Sequence, residues 1–179
     1  MATEKLLIPA EQMWPEIRKM ARTIHLNYAG SPGNYALVGI QHLGVPLAER
    51  LRQYIIEEFN WIPDFACLDI SMYRDDIGNR ARLPEIRETN IPFDVNNKTI
   101  VLVDDVLSSG RTIRAALDAL TDYGRPGVIR LAVLVDRGNP EFPIRADVTG
   151  FNVSSPEENK IAVDFENNPG IYERLWNLS

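Results

Sequence analysis

The sequence predicts an α/β domain built around a parallel sheet, and three observations carry that prediction. Tyr35–Ile40, Thr99–Val103 and Ile129–Val135 are short, nearly all-apolar, β-branched runs, the composition of strands covered on both faces. Between them, apolar residues recur at intervals of three and four, the period of a helix with one buried face. Strands and helices alternate at a spacing that suits right-handed crossovers between neighbouring parallel strands. At 179 residues the chain is expected to be one domain, 1–179, with enough core to need no disulfide or metal staple.

The elements follow in order. Met13, Ile17, Met20, Ala21, Ile24 and Tyr28 form the stripe of a first helix, with Pro15 in its first turn and its end near Gly30–Gly33. Tyr35–Ile40 is the first strand. Gly44 opens a second helix whose buried stripe is Ala48, Leu51 and Ile55, stopped by Asn60-Trp61-Ile62-Pro63. Phe65–Tyr73 reads as the next strand. From Arg74 to Asn97 the apolar pattern disappears, and arginines stand at 74, 80, 82 and 87. A loop of roughly 20 residues within a compact domain is characteristic of a functional lid or of disorder. Thr99–Val103 is the clearest buried strand. Ile113, Ala116, Leu117 and Leu120 then mark a helix that ends near Gly124-Arg-Pro126, and Ile129–Val135 is a fourth strand. Beyond Arg137 prolines punctuate the chain; Asp147–Val153 and Lys160–Phe165 are weaker strand candidates, read as a small cap on the sheet.

Composition narrows the function. The 19 basic and 25 acidic residues leave a net charge of −6, the wrong sign for coating nucleic-acid backbone. No apolar run approaches the ~18 residues of a membrane span, and the start lacks a secretory signal pattern, so the expected location is the cytoplasm. The one cysteine, Cys67, sits in an apolar run and is read as core packing.

The chemistry is concentrated in Ile100-Val-Leu-Val-Asp-Asp-Val-Leu-Ser-Ser-Gly-Arg-Thr112. Two adjacent acids stand at the carboxyl end of a buried strand, where open α/β sheets place their ligand crevice. Ser108-Ser109-Gly110 is a polar turn whose backbone N–H groups can converge on an anion. The turn opens a helix, whose N-terminus favours phosphate. Standing alone, an acid pair or a Ser-Gly turn is strand-end capping and turn chemistry. Joined strand to turn to helix, they outline a ribose 5-phosphate site. The ATP-type phosphate loop is excluded by its missing Gly-x4-Gly-Lys-Ser/Thr spacing.

Val101–Thr112 resembles the phosphoribosyl-pyrophosphate motif of type I phosphoribosyltransferases. Leu68–Asp76, Asp122–Pro126, Leu131–Gly138 and Pro143–Asp147 extend the likeness over most of residues 10 to 165, and are similar to the bifunctional pyrimidine operon attenuation protein/uracil phosphoribosyltransferase family. The resemblance implies a doubly wound, mainly parallel sheet with helices on both faces and a small hood, about 137–170. It implies transfer of a 5-phosphoribosyl group from 5-phosphoribosyl 1-diphosphate (PRPP) to uracil, giving UMP and diphosphate, with Mg2+ held through substrate and water rather than by direct protein ligands. It also implies a homodimer or larger homo-oligomer, to whose interface Trp14, Trp61 and Trp176 are candidates.

Carried over by position, Asp104 and Asp105 hold the ribose hydroxyls, and Val106, Leu107, Ser108, Ser109, Gly110, Arg111 and Thr112 bind the 5′-phosphate. Gln41, His42 and Leu43 form the diphosphate turn. Arg74 opens a lid, about 74–97, and reaches the diphosphate, with Arg80, Arg82 and Arg87 as further candidates. Arg137 and the backbone at Ile161 face the base. Ser108 occupies the position of a carboxylate base in purine enzymes, which suits uracil with its acidic N–H.

Two departures from the family are expected to matter. Gly39-Ile-Gln-His-Leu-Gly44 carries Leu43 where relatives have arginine, which should weaken the hold on the leaving group, with His42 able to compensate if protonated. Where relatives carry RNA-facing cations, this chain has Asn139, Pro140 and Phe151, which disfavours leader-RNA binding, although Arg18, Lys19, Arg22, His25 and Arg145 remain. The competing readings are an RNA-binding attenuator with little catalysis and a phosphoribosyltransferase for another base.

Overall fold

A computed structural model describes residues 3–31, 33–75 and 88–175. The chain runs β1 (Thr3–Pro9), α1 (Ala10–Tyr28), β2 (Tyr35–Ile40), α2 (Gly44–Phe59), β3 (Asp64–Leu68), β4 (Thr99–Leu107), α3 (Arg111–Thr121), β5 (Val128–Asp136), β6 (Val148–Asn152), β7 (Lys160–Asp164) and β8 (Gly170–Leu175). Strands β3-β2-β4-β5-β6 form a five-stranded parallel sheet, and β1-β8-β7 a three-stranded antiparallel one.

Alternation along the central strands sends side chains to both faces of the large sheet. Leu37, Val101, Val103 and Leu134 pack with Met13, Ile17, Leu47 and Leu51 under α1 and α2. Ala36, Val38, Ile100 and Leu102 pack with Ile113, Ala116 and Leu120 under α3. Helices therefore cover both faces, and the predicted doubly wound α/β fold is the one observed. Because β2 leads outward to β3 while β4 leads the other way, the order reverses between β2 and β4, the place where such sheets bind ligands.

Several boundaries differ from the prediction. Helix α1 starts at Ala10, which puts Pro15 inside it rather than in its first turn. The second predicted strand stops at Leu68, and Ser71–Tyr73 is a single 3-10 turn. Val148–Asn152 is not part of the cap: Val133 and Val135 pair with Thr149 and Phe151, making it the edge of the parallel sheet. The small sheet is instead completed by β1 and β8, neither of them predicted. Residues 76–87, with Arg80, Arg82 and Arg87, lie outside the described residues, as does Trp176. Residues 88–97, placed within the lid by sequence, lie against the sheet: Asn90 bridges Cys67, the Thr89 hydroxyl accepts from the Asp69 N–H at 2.9 Å, and Val95 is buried.

Trp14 and Trp61 pack against the core cluster. His25 is buried, stacked on Phe59 with ring centroids 4.2 Å apart and 3.1 Å from the Tyr35 hydroxyl. Among the described residues no helix is long and apolar enough to cross a membrane.

Gly44 fixes the distance between α2 and β4, since a Cβ there would come within 2.3 Å of the Val103 carbonyl oxygen. Gly44→Ala is therefore expected to cost about 1–3 kcal/mol through overpacking. Urea unfolding measures it, and an unchanged midpoint would contradict this close approach.

Candidate active site

Strand β4 ends in Asp104 and Asp105. Asp104 is 6% exposed and Asp105 half-buried, and the Asp105 N–H donates to Asp104 Oδ1 at 3.0 Å. Burial, reinforced by the neighbouring Asp105 charge, holds the Asp104 carboxyl well above the usual range, while Arg74 pulls the other way. Burial also raises Asp105, opposed by hydrogen bonds to its ionised form and by His42. The two titrate as a pair that resists full ionisation. Arg74 and His42, both chosen from sequence, thus act on this pair, Arg74 on Asp104 and His42 on Asp105.

The turn after β4 has the geometry of an anion cradle: it leads with a glycine into a helix N-terminus. Gly110 has φ +90, a left-handed conformation suited to glycine, and caps the N-terminus of α3. Ser109 accepts from the Arg111 N–H through its hydroxyl at 3.3 Å and from the Glu141 N–H through its carbonyl at 2.8 Å, which fixes the turn. Val106 and Leu107 finish the strand with their side chains in the two cores, so they can face a ligand only through backbone. Thr112 is half-buried in the first turn of α3. The Arg111 side chain leaves the cradle: it donates to Asp75 at 2.7 Å and Glu141 at 2.8 Å, beside Arg114, which also holds Asp75 at 2.8 Å. The Tyr73 hydroxyl donates to Asp122, so residues around Arg74 are tied to both ends of α3.

Across the crevice, the Gln41 N–H donates to the Leu68 carbonyl at 2.9 Å, and the Gln41–His42 peptide is cis. Leu43 packs against the core, while His42 is exposed. A cleft of about 540 Å3 separates this turn from Val163–Asn167 and Arg174 of the small sheet. Arg137 donates to the Leu107 carbonyl through its backbone N–H at 3.0 Å and to Ser108 Oγ through Nη1 at 3.4 Å. Ile161 lies on β7, half-buried against the core. The anion turn, acid pair and Arg137 come together at the carboxyl ends of β4 and β5.

Sequence reasoning passed over Asp75 and Glu173. Asp75 sits in a polar run with no pattern to mark it. Glu173 had a signal, since it alternates with buried Ile171 and faces inward with it, but β8 itself was not predicted.

Folding lifts the Asp104 carboxyl, so the native state binds its proton more tightly. Stability therefore falls as pH rises from about 4, where the unfolded carboxyl titrates, through the raised native value. Asp104→Asn keeps an acceptor for the Asp105 N–H and removes the buried charge. It should have a higher thermal midpoint than the parent at neutral pH, with the gain vanishing toward about pH 4; a lower midpoint at neutral pH would contradict the raised carboxyl.

The sequence model of the phosphoribosyl transferase domain matches residues 8–169. Relatives named bifunctional protein PyrR include one from Roseiflexus sp. (strain RS-1), 48% identical over 159 residues, covering 89% of this chain and 86% of the relative. Another, from Chloroflexus aurantiacus, is 44% identical over 174 residues, covering 97% and 94%. Among solved structures, a hypoxanthine-guanine phosphoribosyltransferase from Bacillus anthracis superposes with a TM-score of 0.71 at 18% identity, covering 94% of this chain and 96% of that one. A likeness at that identity speaks for the fold, whereas the close relatives speak for the family. The chain belongs to the PyrR family of phosphoribosyltransferases.

Proposed function

We propose that this chain transfers the 5-phosphoribosyl group of PRPP to uracil, releasing diphosphate and forming UMP. The observation that carries the reading is the Asp104–Asp105 pair, one buried and one half-buried, set directly before a glycine turn that opens helix α3. Carboxylate oxygens there accept from ribose 2′- and 3′-hydroxyls, while N–H groups of residues 106–112 and the α3 dipole receive the 5′-phosphate. Two anchors on one sugar fix its anomeric carbon against the β2–β4 crevice.

The reaction is substitution at that carbon. The uracil N1 proton is lost to water, the N1–C1′ bond forms, and the C1′–O bond breaks with its electron pair leaving on diphosphate. Positive charge develops in the sugar ring, and the adjacent carboxylates favour it. Arg74 and backbone N–H groups of residues 41–43 hold the departing diphosphate. Mg2+ keeps several waters and takes substrate phosphate oxygens, so it would be held here through the diphosphate and water, with the Asp104 and Asp105 carboxylates close enough to accept from its waters while they hold the ribose hydroxyls. When bound, the ion neutralises charge on the leaving group. Ser108 offers no carboxylate base, which suits a substrate whose N–H is acidic. Association as a homodimer or larger assembly belongs to the same reading, supported by exposed Leu26 and Ile62, at 67% and 70%.

RNA binding is not part of it. Asn139 and Pro140 are exposed without charge, and Phe151 packs against the core. On α1, Arg18, Lys19 and Arg22 face Glu57, Glu16 and Glu58 at 3.4, 3.0 and 2.8 Å, and His25 is buried.

Diphosphate release, measured with PRPP, Mg2+ and each free base in turn, should show turnover with uracil that Asp104→Asn/Asp105→Asn abolishes in a folded protein. No turnover with uracil, together with tight binding of a leader RNA, would overturn the reading. Arg74→Ala should lower kcat/KM for PRPP by about tenfold or more, the scale of one lost charged contact; unchanged kinetics would reject its role.

A further inference from the structure

Among the described residues the two buried acids are Asp104 and Glu173, and only Asp104 has a role in the proposed chemistry. Glu173 is 8% exposed, on β8 in the small sheet. Burying a carboxylate is costly unless its oxygens are satisfied. Here Oε1 accepts from the Ser155 hydroxyl at 2.5 Å and from Asn159 Nδ2 at 3.0 Å. Those bonds hold the carboxyl below its usual range, with Lys5 and Arg137 adding to the effect.

The residues around it give this anion a direction. Glu173 pairs with Ile161 across β7–β8 and with Lys5 across β1–β8, so all three share one face of the small sheet. Ser155 and Asn159, the two donors, bracket the segment that enters β7. The same segment presents the Ser155 and Pro156 carbonyls to Arg137 Nη2, at 3.2 and 2.7 Å. Arg137 Nη1 then reaches Ser108 of the phosphate turn, at 3.4 Å, while its Nε is buried without a partner. A continuous chain of hydrogen bonds thus runs from Glu173 through residues 155–159 to Arg137 and Ser108.

We infer that Glu173 is a positioning residue, a buried anion that fixes residues 155–159 and through them aims the Arg137 guanidinium at the base. The inference rests on Arg137 and Ile161 being the base-facing residues of the proposed reaction. A guanidinium held by two carbonyls has its remaining N–H groups committed in direction, and Nη1 is the one that points to Ser108 at the carboxyl end of β4, while Nε is buried without a partner. If residues 155–159 were loose, Arg137 would keep its charge and lose that aim. Recognition of the base would then suffer while the PRPP anchors, on β4, the turn into α3, the 41–43 turn and Arg74, stayed in place.

The test is steady-state kinetics on the full chain with uracil, PRPP and Mg2+, alongside the NMR resonance of the Arg137 Nε–H, assigned by its loss in Arg137→Lys. Glu173→Ala should raise KM for uracil by about tenfold or more and leave KM for PRPP within about twofold. Glu173→Gln, whose amide oxygen still accepts, should recover part of the loss. Ser155→Ala, at a half-buried loop position, should shift KM for uracil the same way even if Glu173→Ala folds poorly. The Arg137 Nε–H resonance should move in Ser155→Ala and Glu173→Gln whichever base is used, so failure of the uracil reading is separable from failure of this one. An Arg137 resonance unmoved in both variants, or KM values for uracil and PRPP that rise together in Ser155→Ala, would overturn the inference.

Discussion

Placing two carboxylates side by side in the carboxyl end of a fully covered strand is the constraint on which the site depends. Taking an ion out of water costs several kcal/mol in a protein interior unless something offsets it. Here the offset is partial: hydrogen bonds from the Asp105 and Val106 backbone N–H groups, and the influence of Arg74 on Asp104 and of His42 on Asp105. The acid pair therefore favours hydroxyl donors and positive charge beside it, the two things that a ribose ring and its cation-like transition state supply in the proposed reaction.

The sheet exists to hold that arrangement. Gly44 lets α2 touch β4 one residue before the pair, and the reversal of strand order between β2 and β4 opens the crevice beside it. Cations near the site divide into two sets. Arg111 and Arg114 are spent on Asp75, Glu141 and the face of Phe142, which ties segments on either side of α3 together. Arg137 is turned toward the turn that opens α3, through Ser108, and the charge of Arg74 acts on Asp104. Leu43 belongs to neither set: it packs an aliphatic side chain against the core, leaving the turn its backbone N–H groups and His42.

Much of this was legible in the sequence because it is local. β4, the turn and α3 are contiguous, so the period-2 run, Ser109-Gly110 and the stripe from Ile113 to Leu120 all point to one structure. The small sheet was not legible, for the opposite reason. Its strands β1 and β8 come from the two ends of the chain, where Glu4 meets Arg174, and each is half polar because one face is solvated. Without β8 there was no ground for reading Glu173 as inward. The strand at 148–152 was recognised as a strand but assigned to the cap, since its mixed composition suits either sheet and only its pairing with β5 decides. The motif places Arg111 among the phosphate ligands through its backbone N–H; what the motif does not reveal is its side chain, which joins a salt-bridge cluster of residues distant in sequence.

The measurement that bears most directly on the acid pair is a comparison of UMP with its 2′,3′-dideoxy analogue by titration calorimetry, on the parent and on Asp104→Asn/Asp105→Asn. If the two carboxylates hold the ribose hydroxyls, the parent binds UMP about tenfold or more tighter than the analogue, and the double variant loses most of that preference. Equal affinity of the parent for both ligands would contradict the assignment of Asp104 and Asp105 to the sugar.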